Sequence, residues 1–217
     1  LYNIMNSVKI FGPFNSGTNL LEKILKYNLK NCKLEKKGFW KHTIDFNLLE
    51  KYLKSKPNVL CIFIYKPLEN WIMSMVKKKY NIKWNNKINN SCYFEVKNSK
   101  NRLYKSIIDI HNEYYTNYMK LIQKYNNVIG INYYEFINYK KGYEYLTNKL
   151  SKFNINLKSY LIFNNILNKP SKTHGRPVAN SRTALIMKKK NKKYINKNGG
   201  GYLKFKRNND VVLFFEK

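Results

Sequence analysis

Apolar positions in this chain recur with two alternating periods. Ser7 to Gly12 and Val59 to Tyr65 are short runs that predict strands. The second is apolar, β-branched or aromatic throughout, the pattern of a central parallel strand covered on both faces. Elsewhere the spacing is helical. Gly17 to Leu29 puts Leu20, Leu21, Ile24 and Leu25 on one face, and Phe46 to Lys54 predicts a short helix. Pro67 suits the first turn of a helix running to about Lys79. Leu103 to Tyr125 holds the longest helical period, through Ile107, Ile110, Tyr114, Tyr118 and Leu121. Val128 to Tyr133 predicts another strand, Tyr143 to Phe153 another helix, and Cys32 to Trp40 a lysine-bearing edge strand. This alternation predicts an α/β fold of three layers, a parallel sheet flanked by helices, with ligands at the carboxyl ends of the strands.

Two stretches break the pattern. Residues 81 to 101 are polar, aperiodic and rich in Asn and Lys, which predicts a long surface loop or lid. After Lys169 the periodic signal fades. The expected organisation is therefore an α/β domain over 1–169 and a basic, mobile arm over 170–217, with a last strand at Val211 to Phe215. A chain of 217 residues suits a single core of this kind. It opens on Leu1 rather than methionine, which suits a fragment, with Met5 a candidate start.

The formal charge of +30 invites a nucleic-acid reading, but its makeup weakens that. Of 42 basic residues only Arg102, Arg176, Arg182 and Arg207 are arginine, leaving 38 lysines. Abundant Asn and Tyr accompany them, as an AT-rich coding sequence would produce without selection for a partner. Anionic substrates should still be drawn to such a surface, less so in salt. Cys32, Cys61 and Cys92 have no metal spacing and leave one unpaired, which points to a reducing, cytoplasmic setting. No apolar run reaches transmembrane length, and no signal peptide is expected.

The chemistry begins at Val8-Lys9-Ile10-Phe11-Gly12-Pro13-Phe14-Asn15-Ser16-Gly17-Thr18-Asn19. A strand runs into a Gly/Ser/Thr turn that opens a helix, so consecutive N–H groups can converge on a phosphate or sulfate. The Gly-Lys-Ser/Thr ending of a nucleotide triphosphatase loop is missing. A second stretch, Ile62-Phe63-Ile64-Tyr65-Lys66-Pro67, puts a cation just past the buried strand, and Ser74 follows eight residues later.

Together these stretches resemble the sulfotransferase family, which uses 3′-phosphoadenosine 5′-phosphosulfate (PAPS) and has a P-loop-like α/β fold. The resemblance implies that Asn15, Ser16, Gly17, Thr18 and Asn19 hold the 5′-phosphosulfate and that Lys66 and Ser74 hold the 3′-phosphate. Trp40-Lys41-His42-Thr43 looks like the segment carrying the family's catalytic histidine, Tyr104 to Tyr125 like its aromatic helix, and Ile131 to Phe136 like its Arg-Tyr-Glu-Asp-Leu element through Tyr134 and Glu135. His42, neutral near physiological pH, would take the proton from an acceptor hydroxyl or amine as it attacks sulfur. The acceptor is open: a saccharide, or a tyrosine-like or small alcohol, is compatible, and the basic surface mildly favours an anionic glycan. No metal is implied.

The family pattern is also departed from. Asn15 stands where the family often has a loop cation, a role Lys41 or a lysine of the arm would have to take. Lys66 replaces arginine, keeping charge but not bidentate geometry. The closing Arg-Lys-Gly segment has no clean counterpart; Arg176, or Lys197 to Gly201, would stand in. Plainer readings stand beside these. Ser16 or Thr18 would serve as an ordinary N-cap, Ser74 as a helix serine bonding its own backbone, and His42 as a surface residue. The rival functions are a P-loop kinase or nucleotide-binding protein, a sulfotransferase-like protein that binds without turnover, and a non-specific polyanion or nucleic-acid binder.

Overall fold

The structure, a computed structural model, describes residues 5–35, 38–77, 82–84, 92–94, 102–104, 106–139, 141–168, 170–171 and 176–177. The chain begins with β1 (Ser7–Phe11), α1 (Thr18–Asn28), β2 (Lys33–Leu34), α2 (Phe46–Ser55), β3 (Val59–Tyr65) and α3 (Leu68–Lys77). Next come β4 (Ile82–Trp84), β5 (Cys92–Phe94), β6 (Arg102–Tyr104), α4 (Ile107–Lys124) and β7 (Val128–Asn132). It continues through α5 (Tyr133–Phe136), α6 (Gly142–Ser151), α7 (Tyr160–Asn168), β8 (Pro170–Ser171) and β9 (Arg176–Pro177).

Four strands form a parallel sheet in the order β2-β1-β3-β7. All seven residues of β3 are buried, because its alternating side chains feed two separate cores. Val59, Cys61, Phe63 and Tyr65 face Leu49 and Leu53 of α2, Trp71 and Met75 of α3, and the aromatic face of α4. Leu60, Ile62 and Ile64 face Leu21, Ile24 and Leu25 of α1 with Leu146, Leu150, Phe163 and Leu167 of α6 and α7. The expected three-layer α/β architecture is thus what the chain forms. No helix of the described residues is long and apolar enough to cross a membrane.

Several boundaries differ from expectation. The segment from residue 81 to 101 is not simply a loop: β4, β5 and β6 pair antiparallel. Their three-residue runs, such as Cys92-Tyr93-Phe94, are too short to register as a period. The long helix starts at Ile107 rather than Leu103, because the Ser106 hydroxyl accepts from the Asp109 N–H while Asp109 accepts from the Ser106 N–H. Leu103 belongs to β6. Among the described residues of the predicted edge strand, Lys33 and Leu34 pair with β1 and the Glu35 N–H donates to the Val8 carbonyl. The chain then turns through Gly38, at φ +93°. Helix α7 was not anticipated; its Tyr-Leu-Ile-Phe start shows no clear polar face. The proposed strand at Val211 to Phe215 and the stretch Lys197 to Gly201 lie outside the described residues.

Phe63 is the hinge of the aromatic core, stacked on Tyr118 at 4.2 Å and 15° and edge-on to Phe11 at 5.8 Å. Phe63→Ala should lower the unfolding free energy by about 3–5 kcal/mol, seen as a reduced urea midpoint with the slope retained. A loss below about 1 kcal/mol would show that the core collapses around the gap.

Candidate functional site

From β1 the chain passes to β2 on one side and then crosses to β3 on the other. Such a reversal opens a crevice at the carboxyl ends of the two central strands. Three segments emerge there: residues 12–17 after β1, Lys66 after β3, and Tyr133 after β7.

The first segment is held tightly. A Cβ on Gly12 would lie 2.6 Å from Ser16 Oγ and 2.7 Å from the Ile64 carbonyl, so only glycine fits between loop and strand. Asn15 is left-handed at φ 58° and Gly17 at φ 99°. The Ser16 hydroxyl donates to the Pro13 carbonyl at 2.7 Å and is fully buried. Ser16 is therefore neither a helix cap nor a side-chain ligand at the loop mouth. Gly17 caps α1 with no side-chain hydrogen bond, so neither Ser16 nor Thr18 is the cap. The first-turn N–H groups of Thr18 and Asn19 have no acceptor among the described residues, and the helix end adds partial positive charge.

Helix α3 clamps this loop from the side. The Asn15 amide donates to the Ser74 carbonyl at 3.1 Å, and the Trp71 indole donates to the Phe14 carbonyl at 2.6 Å. The Ser74 hydroxyl donates back to Asn70 O at 2.9 Å and accepts from Lys66 Nζ at 3.2 Å. The plain reading of Ser74 is thus true of its proton, while its oxygen also meets the strand-end cation. Lys66 is buried, and its ammonium lies 4.2 Å from the centroid of the Tyr133 ring. That ring in turn covers Gly17, where an added Cβ would collide with it. Loop, cation, hydroxyl and ring therefore form one contiguous cluster.

His42 joins from the opposite side. Its Nδ1 lies 2.7 Å from the Gly12 carbonyl, which can only accept, so Nδ1 carries the proton and Nε2 is the basic nitrogen. The Lys41 carbonyl accepts from the Gly12 N–H at 3.0 Å, so both backbone groups of Gly12 are tied to this segment. The Tyr114 hydroxyl anchors the His42 carbonyl at 2.6 Å, and Phe14 packs against the ring at 4.5 Å. Burial lowers the His42 pKa to about 4, with the Lys41 charge adding to the effect and the Gly12 and Pro13 carbonyls opposing it. The imidazole is thus a neutral acceptor throughout the physiological range.

The other expected residues stand apart. The Lys41 ammonium is committed to Glu22 at 2.7 Å and Asn19 at 2.5 Å, on the outer flank of α1. They line an open cleft of about 680 Å³ together with Lys9, Phe39 and Trp40. Lys9 is buried on β1, and desolvation holds it below the ordinary lysine range against the pull of Glu35 and Glu22. Arg176 has its backbone in β9, paired with Ser171, and its side chain lies outside the described set. A cavity of about 530 Å³ near Pro57, Asn126 and Phe153 sits at the amino ends of the strands, away from all of this chemistry. Among the described residues no group of three His, Cys, Asp or Glu could hold a metal ion.

Sequence reasoning gave no role to Tyr133, which lies in the Ile131 to Phe136 stretch but outside its matching residues, or to Tyr115, whose hydroxyl accepts from the Lys66 N–H at 2.6 Å and donates to the Lys66 carbonyl at 2.7 Å. His111 packs on Tyr115 at 3.9 Å and places Nε2 3.3 Å from the same carbonyl.

Burial holds His111 at about pH 4 as well. Both imidazoles take a proton at about 6.5 once unfolded, so the unfolded state binds more protons between pH 6.5 and 4. Stability should be level above that window and fall as pH drops through it, by on the order of 3 kcal/mol for His111 alone. Imidazole NMR titrations should show both rings neutral until about pH 4; midpoints near 6.5 would mean that they are solvated. The chain matches no protein-family model, no curated protein and no solved structure.

Proposed function

We propose that this protein is a sulfotransferase of P-loop-like fold, moving a sulfonate from PAPS to a hydroxyl or amine acceptor. The observation that carries this reading is the meeting of Lys66 and Ser74, eight residues apart, at 3.2 Å beside the loop that follows β1. A cation and a hydroxyl at that distance suit one phosphate group, the Lys66 ammonium donating directly and the Ser74 hydroxyl once its proton turns from the Asn70 carbonyl. The uncapped first turn of α1 supplies a second anion position through backbone donors. A ligand with two separate anionic groups fits this pair better than one with a single phosphate chain. The missing lysine of the nucleotide triphosphatase loop counts against an ATP-hydrolysing alternative.

The chemistry follows from these placements. The acceptor oxygen or nitrogen attacks sulfur, the bond from sulfur to the bridging phosphate oxygen breaks, and adenosine 3′,5′-bisphosphate leaves with the electron pair. His42 Nε2 takes the acceptor proton. Backbone N–H groups at Thr18 and Asn19 stabilise the charge that grows on the leaving phosphate. With Lys41 neutralised by Glu22, the developing charge depends on those backbone dipoles.

Calorimetric titration with adenosine 3′,5′-bisphosphate, against ATP–magnesium and a short DNA duplex at moderate salt, tests the donor site. The bisphosphate should bind selectively, and Lys66→Ala should cost it about tenfold or more while sparing the 3′-hydroxyl analogue. Equal losses on both nucleotides would remove Lys66 from a 3′-phosphate site. Preference for ATP would favour a kinase-like protein, and steeply salt-dependent duplex binding a polyanion binder.

His42→Ala should reduce transfer by about a hundredfold or more with donor affinity nearly intact. In the wild-type protein the acid limb of the rate should fall near pH 4 rather than 6.5. A large loss of donor binding instead would make His42 a support for Gly12.

A further inference from the structure

We infer that Tyr133 is a positioning residue whose ring, set between Gly17 and the Lys66 ammonium, aims that cation at Ser74. The inference depends on Lys66 and Ser74 holding a ligand phosphate. Lysine is a point charge on a flexible four-carbon stem, with none of the planar fork by which arginine fixes its own direction. Something must supply that direction. The Lys66 ammonium lies 4.2 Å from the Tyr133 centroid, within the range at which a ring face attracts a cation, and burial of Lys66 strengthens the attraction.

The ring is itself well held. Tyr133 is the first residue of α5, directly after Asn132, whose side chain accepts from the Tyr134 N–H at 3.0 Å. The Asn132 N–H donates to the Tyr145 hydroxyl at 3.0 Å, which pins the end of β7 to α6. Phe136 and Tyr134 meet the Tyr133 ring edge-on, at 5.6 Å and 5.3 Å. On its remaining side the ring lies against Gly17, the one residue there without a Cβ to block it. The ring thus fixes Lys66 relative to the loop as well as to Ser74, so the two anion positions keep a set separation. Changing the ring should alter recognition of the group at Lys66 and leave recognition at the loop alone.

The test compares Tyr133→Phe and Tyr133→Leu with wild type, using calorimetric affinities for adenosine 3′,5′-bisphosphate and adenosine 5′-monophosphate. Tyr133→Phe keeps the ring face and should keep the wild-type preference for the bisphosphate within about twofold. Tyr133→Leu should lower that preference about fivefold or more with monophosphate affinity unchanged. A Leu variant that keeps the full preference, or that loses both nucleotides equally, overturns the positioning role. A wild-type protein with no preference overturns the phosphate reading of Lys66 and Ser74, and the positioning role with it.

A second readout needs neither ligand nor the Leu variant. The Lys66 ε-methylene protons of the wild-type and Tyr133→Phe proteins should resonate upfield of other lysines through the ring current. Ordinary lysine shifts there would show that the ammonium does not sit over the ring.

Discussion

The backbone of Lys66 is the point on which this structure turns. Here β3 leaves a sheet in which it pairs with β1 from Val59 to Phe63 and with β7 from Cys61 to Tyr65, and no strand of the described residues continues beside it. An unmatched N–H or carbonyl at this depth would be costly. A single phenol resolves both: Tyr115 accepts from the Lys66 N–H and donates to the Lys66 carbonyl, with the His111 imidazole at the same oxygen. Because that closure comes from α4, the long aromatic helix fixes where the strand ends. The Lys66 side chain then departs at one place, beside α3 and Ser74. Residues far from the anion loop in sequence thereby decide its geometry.

Much of the frame was legible in the sequence because it follows from burial. Val59 to Tyr65 has the length and β-branched, aromatic makeup of a doubly covered strand, and the faces of α1 and α2 follow from their helical spacing. The loop after β1 was legible as a turn that could hold an anion, and the nearness of Lys66 to Ser74 follows from a strand end feeding a helix. What could not be read depends on which side chain a neighbouring element presents. Ser16 looks like a cap by type, yet its hydroxyl turns inward to Pro13, since two left-handed residues reverse the loop around it. Tyr133 is one of 19 tyrosines, and only the packing of its ring against Gly17 and Lys66 marks it out. The short strands β4 to β6 hide because three residues carry no period.

Charge shows the same contrast between count and place. A chain with +30 formal charge offers cations everywhere, yet those near the loop are individually committed. Lys41 is spent on Glu22, and Lys66 is shared between Ser74 and an aromatic face. Among the described residues, the local field at the crevice therefore comes from a helix end and one directed ammonium, while the net charge governs long-range attraction.

The conformation of Asn15 has a consequence for any attempt to rebuild this loop. Its left-handed backbone is one that asparagine tolerates better than most residues, and it points the side chain at the Ser74 carbonyl and the Met75 sulfur. A lysine grafted there would inherit that direction. Its charge would fall on the flank of α3, behind the N–H groups that face the crevice, and it would lose the amide strap that draws loop and helix together. Position 15 in this fold is a buckle rather than a seat for a charge.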